Sequence, residues 1–314
     1  MSAPVMSADL LRFAQEIGPE GPVCVAGGRS HWGLGGLPAP GTCEVAAPVG
    51  LVKHEPDEMI VRTLAGTSVV ELQAAVAERG QMVNVYAADR DSTVGGVLAV
   101  GHSGYARLRY GPVRDSLLEA RFVSSAGKLV RAGAPLVKNV TGFDLCRLLV
   151  GSLGTLGLLG EVVLRCLPMP ESRRWWVAEE TDPFRLLSAL YRPTALLWDG
   201  QCTWVGMEGH SADLDWQESH HLAGFAEVEG PPALPPLRRS LEPSQLRGLP
   251  LLVGSAGKWL AEIGVGTVHL DESAAVALGP PAAPRPDVEA LSRSVKQRFD
   301  PAGRLNPGRD PLRR

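Results

Sequence analysis

The chain has 314 residues, 45% of them hydrophobic, enough for one large domain or two ordinary ones and too many for global disorder. A formal net charge of -3 argues against a protein that lives on nucleic acid. No run approaches the roughly 18 apolar residues of a membrane span, and MSAPVMSADLLRFAQEIG lacks the basic region of a signal peptide, so a cytoplasmic location is expected.

In chain order, residues 6–17 place Leu10, Leu11, Ala14 and Ile17 at helical spacing behind a Ser7/Asp9 start signal. The run 23–26 predicts a strand, as does 59–64. Ala65-Gly66-Thr67 then turns the chain into a helix over 68–79, capped by Ser68 with Glu71 three later and ended by Gly80. A short strand follows at 83–85. Glycine and small residues dominate 92–104, STVGGVLAVGHSG. Two strands within 116–131 flank the turn Ser125-Ala126-Gly127-Lys128. A short helix is expected at 144–150, with Asp144 ordering the turn before it by accepting backbone N–H bonds. The β-rich run 158–167 ends at Pro168 and Pro170, which place a domain boundary.

Beyond 170 the texture changes. Trp175, Trp176, Trp198, Trp204 and Trp216 all fall there, read as core or interface anchors. Residues 183–191 look helical and 195–207 hold strands. The stretches 231–236 and 279–286 are Pro-rich loops, and 287–299 forms a last helix capped by Asp287. The cysteines Cys24, Cys43, Cys146, Cys166 and Cys202 form no C-x-x-C, so neither a zinc knuckle nor the ligands of an iron–sulfur cluster are present. They read as reduced thiols, most of them small buried hydrophobes. His210, His220 and His221 form no H-x-x-x-H or H-E-x-x-H, so no metal site is expected.

The chemistry concentrates in glycine. VCVAGGRSHWGLGG (23–36) runs from an apolar strand into a glycine turn, where bare main chain can approach a ligand and its N–H groups can form an anion nest. A single such turn connects strands as readily as it cradles a ligand. Here three segments, 27–36, 92–104 and 151–157, accompany β-rich stretches, as an extended dinucleotide would require. A branched side chain at Gly28 would then stand in the diphosphate's approach. The P-loop pattern is absent, since Gly127-Lys128 is followed by leucine and Gly257-Lys258 by tryptophan. The Rossmann pattern fails where Pro38 replaces the third glycine.

VKNVTGFDLCRLLVGSLGTLGLLGEVVLRCLP (137–168), STVGG (92–96), SGYARLRYGPVRD (103–115), AGTSVVELQAAVAERGQM (65–82) and VKQRFDPAGRLNPGR (295–309) occur in order. Together they resemble the vanillyl-alcohol-oxidase/PCMH-type FAD-binding proteins, and among these the FAD-binding subunits of glycolate-oxidase-type complexes. The resemblance covers about 20–168 and 290–309 and leaves roughly 171–285 unmatched. It implies an α+β fold: a PCMH-type FAD-binding domain of two α/β subdomains over 1–170, and a smaller α+β cap over 171–286 for substrate or partner. The segment 287–314 returns to the FAD domain.

By the same resemblance, Gly27, Gly28, Arg29, Ser30 and His31 would bind the FAD diphosphate. Thr93, Gly95, Gly96, Ser103 and Gly104 would line its other flank. Gly157 and Val162 would approach through backbone groups, and Asn306 would reach the flavin. The family loop often begins Arg-Gly-Gly-Gly, whereas this chain has Ala26-Gly27-Gly28-Arg29. Relatives with histidine-linked flavin carry the histidine where Ser30 stands, so noncovalent FAD is expected. His102 and Arg109 are the catalytic candidates. Arg107 and Arg114 could also supply a cation, Lys138 and Asn139 could contact substrate or flavin, and no base stands out.

The expected function is an FAD-binding oxidoreductase subunit for a small hydroxy acid. A homologous flavoprotein subunit and an iron–sulfur subunit would be its partners, and any membrane association would be peripheral, at the inner membrane, through them. The alternatives are a stand-alone FAD-dependent hydroxy-acid or alcohol oxidase and a non-catalytic assembly subunit with a decayed FAD site.

Overall fold

Ser7 Oγ accepts the Leu10 N–H at 3.2 Å and starts α1 (Ala8–Ile17), whose Leu10, Phe13 and Ile17 face inward. The computed structural model in which this is seen describes residues 7–135 and 144–313, so Lys138 and Asn139 lie outside the described residues. Contacts divide the chain into two units, one of 1–104, 112–169 and 284–314, the other of 105–111 and 170–283.

In the first unit β1 (Val23–Ala26) pairs in parallel with β2 (Cys43–Ala46). The buried face of α1 closes over Val23 and Val45 and meets Leu158 and Leu305. Then come β3 (Leu51–Glu55), β4 (Ile60–Leu64), α2 (Val69–Ala77), β5 (Gln81–Val83), α3 (Val94–Val100), β6 (Leu117–Val123), β7 (Leu129–Gly133), α4 (Leu145–Leu149) and β8 (Leu158–Pro168). The larger sheet is antiparallel in the order β3-β4-β8-β6-β7, and β5 pairs with the far end of β8. Strand β8 is central, and its first seven residues are all buried. Leu72, Leu98 and Leu149 from α2, α3 and α4 pack on it with Val162 and Phe122. The unit thus holds two sheets, each with helices packed on it.

The sheet also buries charge. Arg62 Nη1 lies 2.7 Å from Glu161 and 3.0 Å from Glu119, Arg121 lies 3.3 Å from Glu161, and Arg131 lies 2.7 Å from Glu119. Each carboxylate meets at least two guanidiniums, which offsets its desolvation.

The glycine-rich stretch 92–104 contains α3. Thr93 Oγ1 caps it by accepting the Gly96 N–H at 3.3 Å. Gly95 is required because its N–H reaches Ala65 O at 2.7 Å, and a Cβ there would lie 2.7 Å from the Ala65 methyl.

The second unit is a seven-stranded antiparallel sheet with helices on one face. Its elements are β9 (Ser172–Glu179), α5 (Pro183–Ala189), β10 (Ala195–Trp198), β11 (Cys202–Gly209), α6 (Ser211–His221), β12 (Ala226–Val228), β13 (Leu237–Ser240), α7 (Leu249–Val253), β14 (Trp259–Glu262), β15 (Thr267–Leu270) and α8 (Glu272–Leu278). The strand order is β12-β9-β11-β10-β14-β15-β13. Leu186, Leu214, Leu249 and Ala274 from the helices pack on Trp176, Val205, Ala261 and Val268.

The last helix, α9 (Pro286–Phe299), belongs to the first unit. Asp287 does not cap it as expected. Arg285 is the N-cap residue, Pro286 supplies the preset φ of the first turn, and Asp287 pairs with the Arg285 guanidinium. Among the described residues no helix is long and apolar enough to cross a membrane.

Burial pushes the thiols of Cys146 and Cys166 up to about 11, while Cys43 is exposed. At pH 8 a thiol of that pKa is about one part in a thousand thiolate, the reactive form. Ellman's reagent should therefore modify Cys43 first in the native chain and reach Cys146 and Cys166 only on unfolding. Reaction of all the thiols at one rate before unfolding would contradict this.

Candidate cofactor site

Strand β1 makes its last rung at Ala26, whose carbonyl accepts the Ala47 N–H at 3.0 Å. The chain then leaves the sheet through Gly27-Gly28-Arg29, and the amides of 27–30 donate to no acceptor among the described residues. Arg29 takes a left-handed φ of 60°, a conformation uncommon outside glycine.

A second loop supports this turn. A Cβ on Gly27 would stand 2.3 Å from Thr93 Oγ1, and one on Gly28 only 1.5 Å from Asp91 O. Ser30 Oγ donates to Asp89 Oδ1 at 2.6 Å, and Asp89 Oδ1 also accepts from Ser92 Oγ at 3.0 Å and from the Asp91 N–H at 3.0 Å. These bonds, the Ser30 hydroxyl first, hold the Asp89 carboxyl below the usual range.

The C-terminal segment forms the other side. Asn306, at φ 45°, donates from Nδ2 to Leu153 O at 2.6 Å, while its buried Oδ1 has no partner among the described residues. The Arg309 guanidinium donates to Leu34 O at 3.0 Å and stands 4.7 Å from the Trp32 ring centroid. Arg29 stands 4.6 Å from the same ring and pairs with Glu44. Burial lowers the Arg309 pKa, and no carboxylate lies within ion-pair distance of it among the described residues.

Two cavities follow from this arrangement, with Gly27, Thr93, Gly96 and Asn306 in the walls of both. The first is also lined by Gly28, Arg29, Ser30, His31, Trp32 and Arg309, the second by Gly95, Gly154 and Gly157. Ten of the sequence-predicted positions are thus brought together: Gly27, Gly28, Arg29, Ser30, His31, Thr93, Gly95, Gly96, Gly157 and Asn306.

Three positions are placed elsewhere. Ser103 Oγ accepts the Val113 N–H at 2.9 Å in the interior. Gly104 packs on Tyr86, where a Cβ would lie 2.4 Å from the ring. Val162 sits inside the sheet, paired with Thr63 on one side and Ala120 on the other.

Of the catalytic candidates, His102 lies behind the loop, with its Nδ1 3.2 Å from His31 Nε2 and its ring 5.2 Å from that of Tyr86. Arg109 belongs to the second unit, where Nη1 donates to Arg192 O at 3.0 Å. The sequence reading missed Trp32, Ser92, Leu153 and Arg309 in the cavity wall. Arg309 had a visible signal, since it closes the segment FDPAGRLNPGR.

Residues 7–133 match the model of the FAD binding domain. The first unit has a PCMH-type FAD-binding fold.

The chain is 31% identical over 224 residues to glycolate oxidase subunit GlcE of Escherichia coli (strain K12), covering 69% of this chain and 63% of that one. It is 39% identical over 87 residues to glycolate oxidase subunit GlcD of Bacillus subtilis (strain 168), covering 28% of this chain and 18% of that one. In structure it resembles alkyldihydroxyacetonephosphate synthase, with a TM-score of 0.69, 14% identity, and coverage of 95% of this chain and 74% of that one. At that identity the likeness shows the fold alone. The chain thus spans under two thirds of the length of GlcE. The turn at 27–30 and the α3 cap both fall inside the FAD-binding domain, while Asn306 and Arg309 reach it from the far end of the chain.

Proposed function

We propose that the chain is the FAD-binding subunit of a glycolate-oxidase-type oxidoreductase acting on small 2-hydroxy acids, with FAD held noncovalently. One observation carries this reading: the unpaired amides of 27–30, the buried Asn306 Oδ1 and the Arg309 guanidinium meet in one cavity wall. Successive unpaired amides suit the diphosphate, and two guanidiniums on Trp32 add positive charge beside it. Asn306 Oδ1 suits an N–H donor of the flavin ring. When bound, the isoalloxazine supplies the two-electron redox chemistry.

The protein's part is to bind, orient and exclude water. The loop 27–31 fixes the diphosphate, and Ser30 is fixed in turn by Asp89. Ser30 stands where a histidine would be needed for a covalent link. The second unit serves as the cap for substrate or partner. Among the described residues no group of three or more His, Cys, Asp or Glu could hold a metal ion. Electrons would pass to a homologous flavoprotein subunit and an iron–sulfur subunit, with the assembly in the cytoplasm or peripheral to the inner membrane.

The purified chain should show flavin absorbance, release its flavin on acid precipitation, and bleach with glycolate or D-lactate anaerobically only once partner chains are added. Bleaching of the chain alone would make it a stand-alone oxidase. A colourless chain that takes up no added FAD would leave assembly as its role.

A further inference from the structure

The segment between β12 and β13 is EGPPALPP (229–236), and half of it is proline. Strands β12 and β13 are the two opposite edges of the seven-stranded sheet. Crossing it takes six inter-strand spacings of about 4.8 Å, roughly 29 Å. The nine Cα steps from Val228 to Leu237 reach only about 30 Å when extended. The segment is therefore a taut strap, and proline suits it by presetting an extended backbone that donates no N–H. The strap crosses the face opposite the helices, because Leu234 packs there with Trp175, Leu197 and Leu260. Its main chain makes no hydrogen bond among the described residues.

Under the strap lies a cavity of about 590 Å³, within the size range of small-molecule sites. Pro232, Ala233 and Pro235 of the strap form one wall, and Trp204 of β11 and Leu260 of β14 stand in the other. Trp204 is half-buried, so indole surface is left for a ligand. Lys258, just before β14, brings a cation to the same cavity. Its backbone N–H donates to Asp271 Oδ2 at 2.8 Å. Among the described residues no carboxylate lies within ion-pair distance of its ammonium, and Asp271 acts on it only from beyond that distance. Asp199, the carboxylate in the wall, is committed to its own turn, where Oδ1 accepts the Gln201 N–H at 2.9 Å and the Cys202 N–H at 2.7 Å. A slot between an indole and proline rings suits a flat π surface, and an ammonium at its edge suits an acid group.

We propose that this cavity binds a flat aromatic ring bearing an acid group, the ring between Trp204 and the strap prolines and the acid on the Lys258 ammonium. The site lies wholly within the second unit and stands independently of the cofactor cavity.

Calorimetry on the full-length chain tests this with naphthoate, the neutral naphthalenemethanol and the flexible octanoate as probes. Naphthoate should bind one to one and at least tenfold more tightly than either of the others. Lys258→Met should bring it down to the level of the alcohol. Ala233→Trp, which fills the slot from an exposed position on the strap, should abolish binding of both ring probes. Circular dichroism should be unchanged in both variants, and flavin absorbance per chain should be the same with and without saturating naphthoate. Octanoate bound as tightly as naphthoate would overturn the aromatic class. Naphthoate binding that is equal in wild type and both folded variants, or no saturable binding at all, would overturn the site, as would flavin released in step with naphthoate binding. A colourless chain that still binds naphthoate with this preference would sink the FAD reading and leave this site standing.

Discussion

Alanine at Gly28 should strip the flavin from the purified chain, lowering FAD affinity at least tenfold. The sequence alone suggests that a side chain at 28 would block the ligand. The structure gives a different cause, because the added Cβ would point away into the neighbouring loop, 1.5 Å from the carbonyl oxygen of Asp91. Neither backbone can yield without moving the turn that presents the amides of 27–30 or the Thr93 cap that starts α3. Overpacking of this kind typically costs 1–3 kcal/mol in stability, and the displaced amides would no longer converge on an anion. Gly33 is the internal control, because a Cβ there would meet nothing within 4 Å. Gly33→Ala should keep wild-type flavin content. Flavin absorbance per chain after desalting, with free FAD titrated back, checks both variants. Full retention by Gly28→Ala would refute the placement of the turn.

A second large effect is expected at Arg304, in the C-terminal segment. Its guanidinium is almost wholly buried, with Nε donating to Gly21 O at 2.9 Å, Nη1 to Ser125 O at 3.0 Å, and Nη2 to Ile17 O at 2.9 Å and Glu20 O at 3.0 Å. Asp300 orders the same turn by accepting the backbone N–H groups of Arg304 at 3.0 Å and Leu305 at 2.8 Å. One side chain thus ties the end of α1, the entry to β1 and the β6–β7 hairpin to the segment carrying Asn306. Arg304→Met fills similar volume but strands these carbonyls, so a loss of about 3–5 kcal/mol is expected. The urea midpoint should fall sharply, and flavin should dissociate more readily because Asn306 loses its support. A midpoint within error of wild type would show that water replaces the guanidinium without cost.

The comparison of sequence with structure turns on particular elements. Helix α1 and helix α2 were legible because each has a serine start and an apolar stripe, signals contained within a dozen residues. Much of the second unit's sheet was not, since β12, β13, β14 and β15 are only three or four residues long. All four residues of β14 and of β15 are buried, which erases the alternation that betrays a strand. The glycine turn at 27–28 was visible, but the partner that demands it, Asp91, lies over sixty residues away. Nothing in the sequence marks Arg304, because four carbonyls from three other segments are needed to make it a core residue.

The sequence by itself determined the first helices and the glycine turn at 27–28, because local periodicity, caps and the absence of side chains are properties of short stretches, while the α+β fold was implied by the family resemblance. Only the tertiary structure decided which bare amides, which asparagine oxygen and which arginine share one wall. Those choices depend on long-range strand register and on desolvation, and neither is encoded within any single segment.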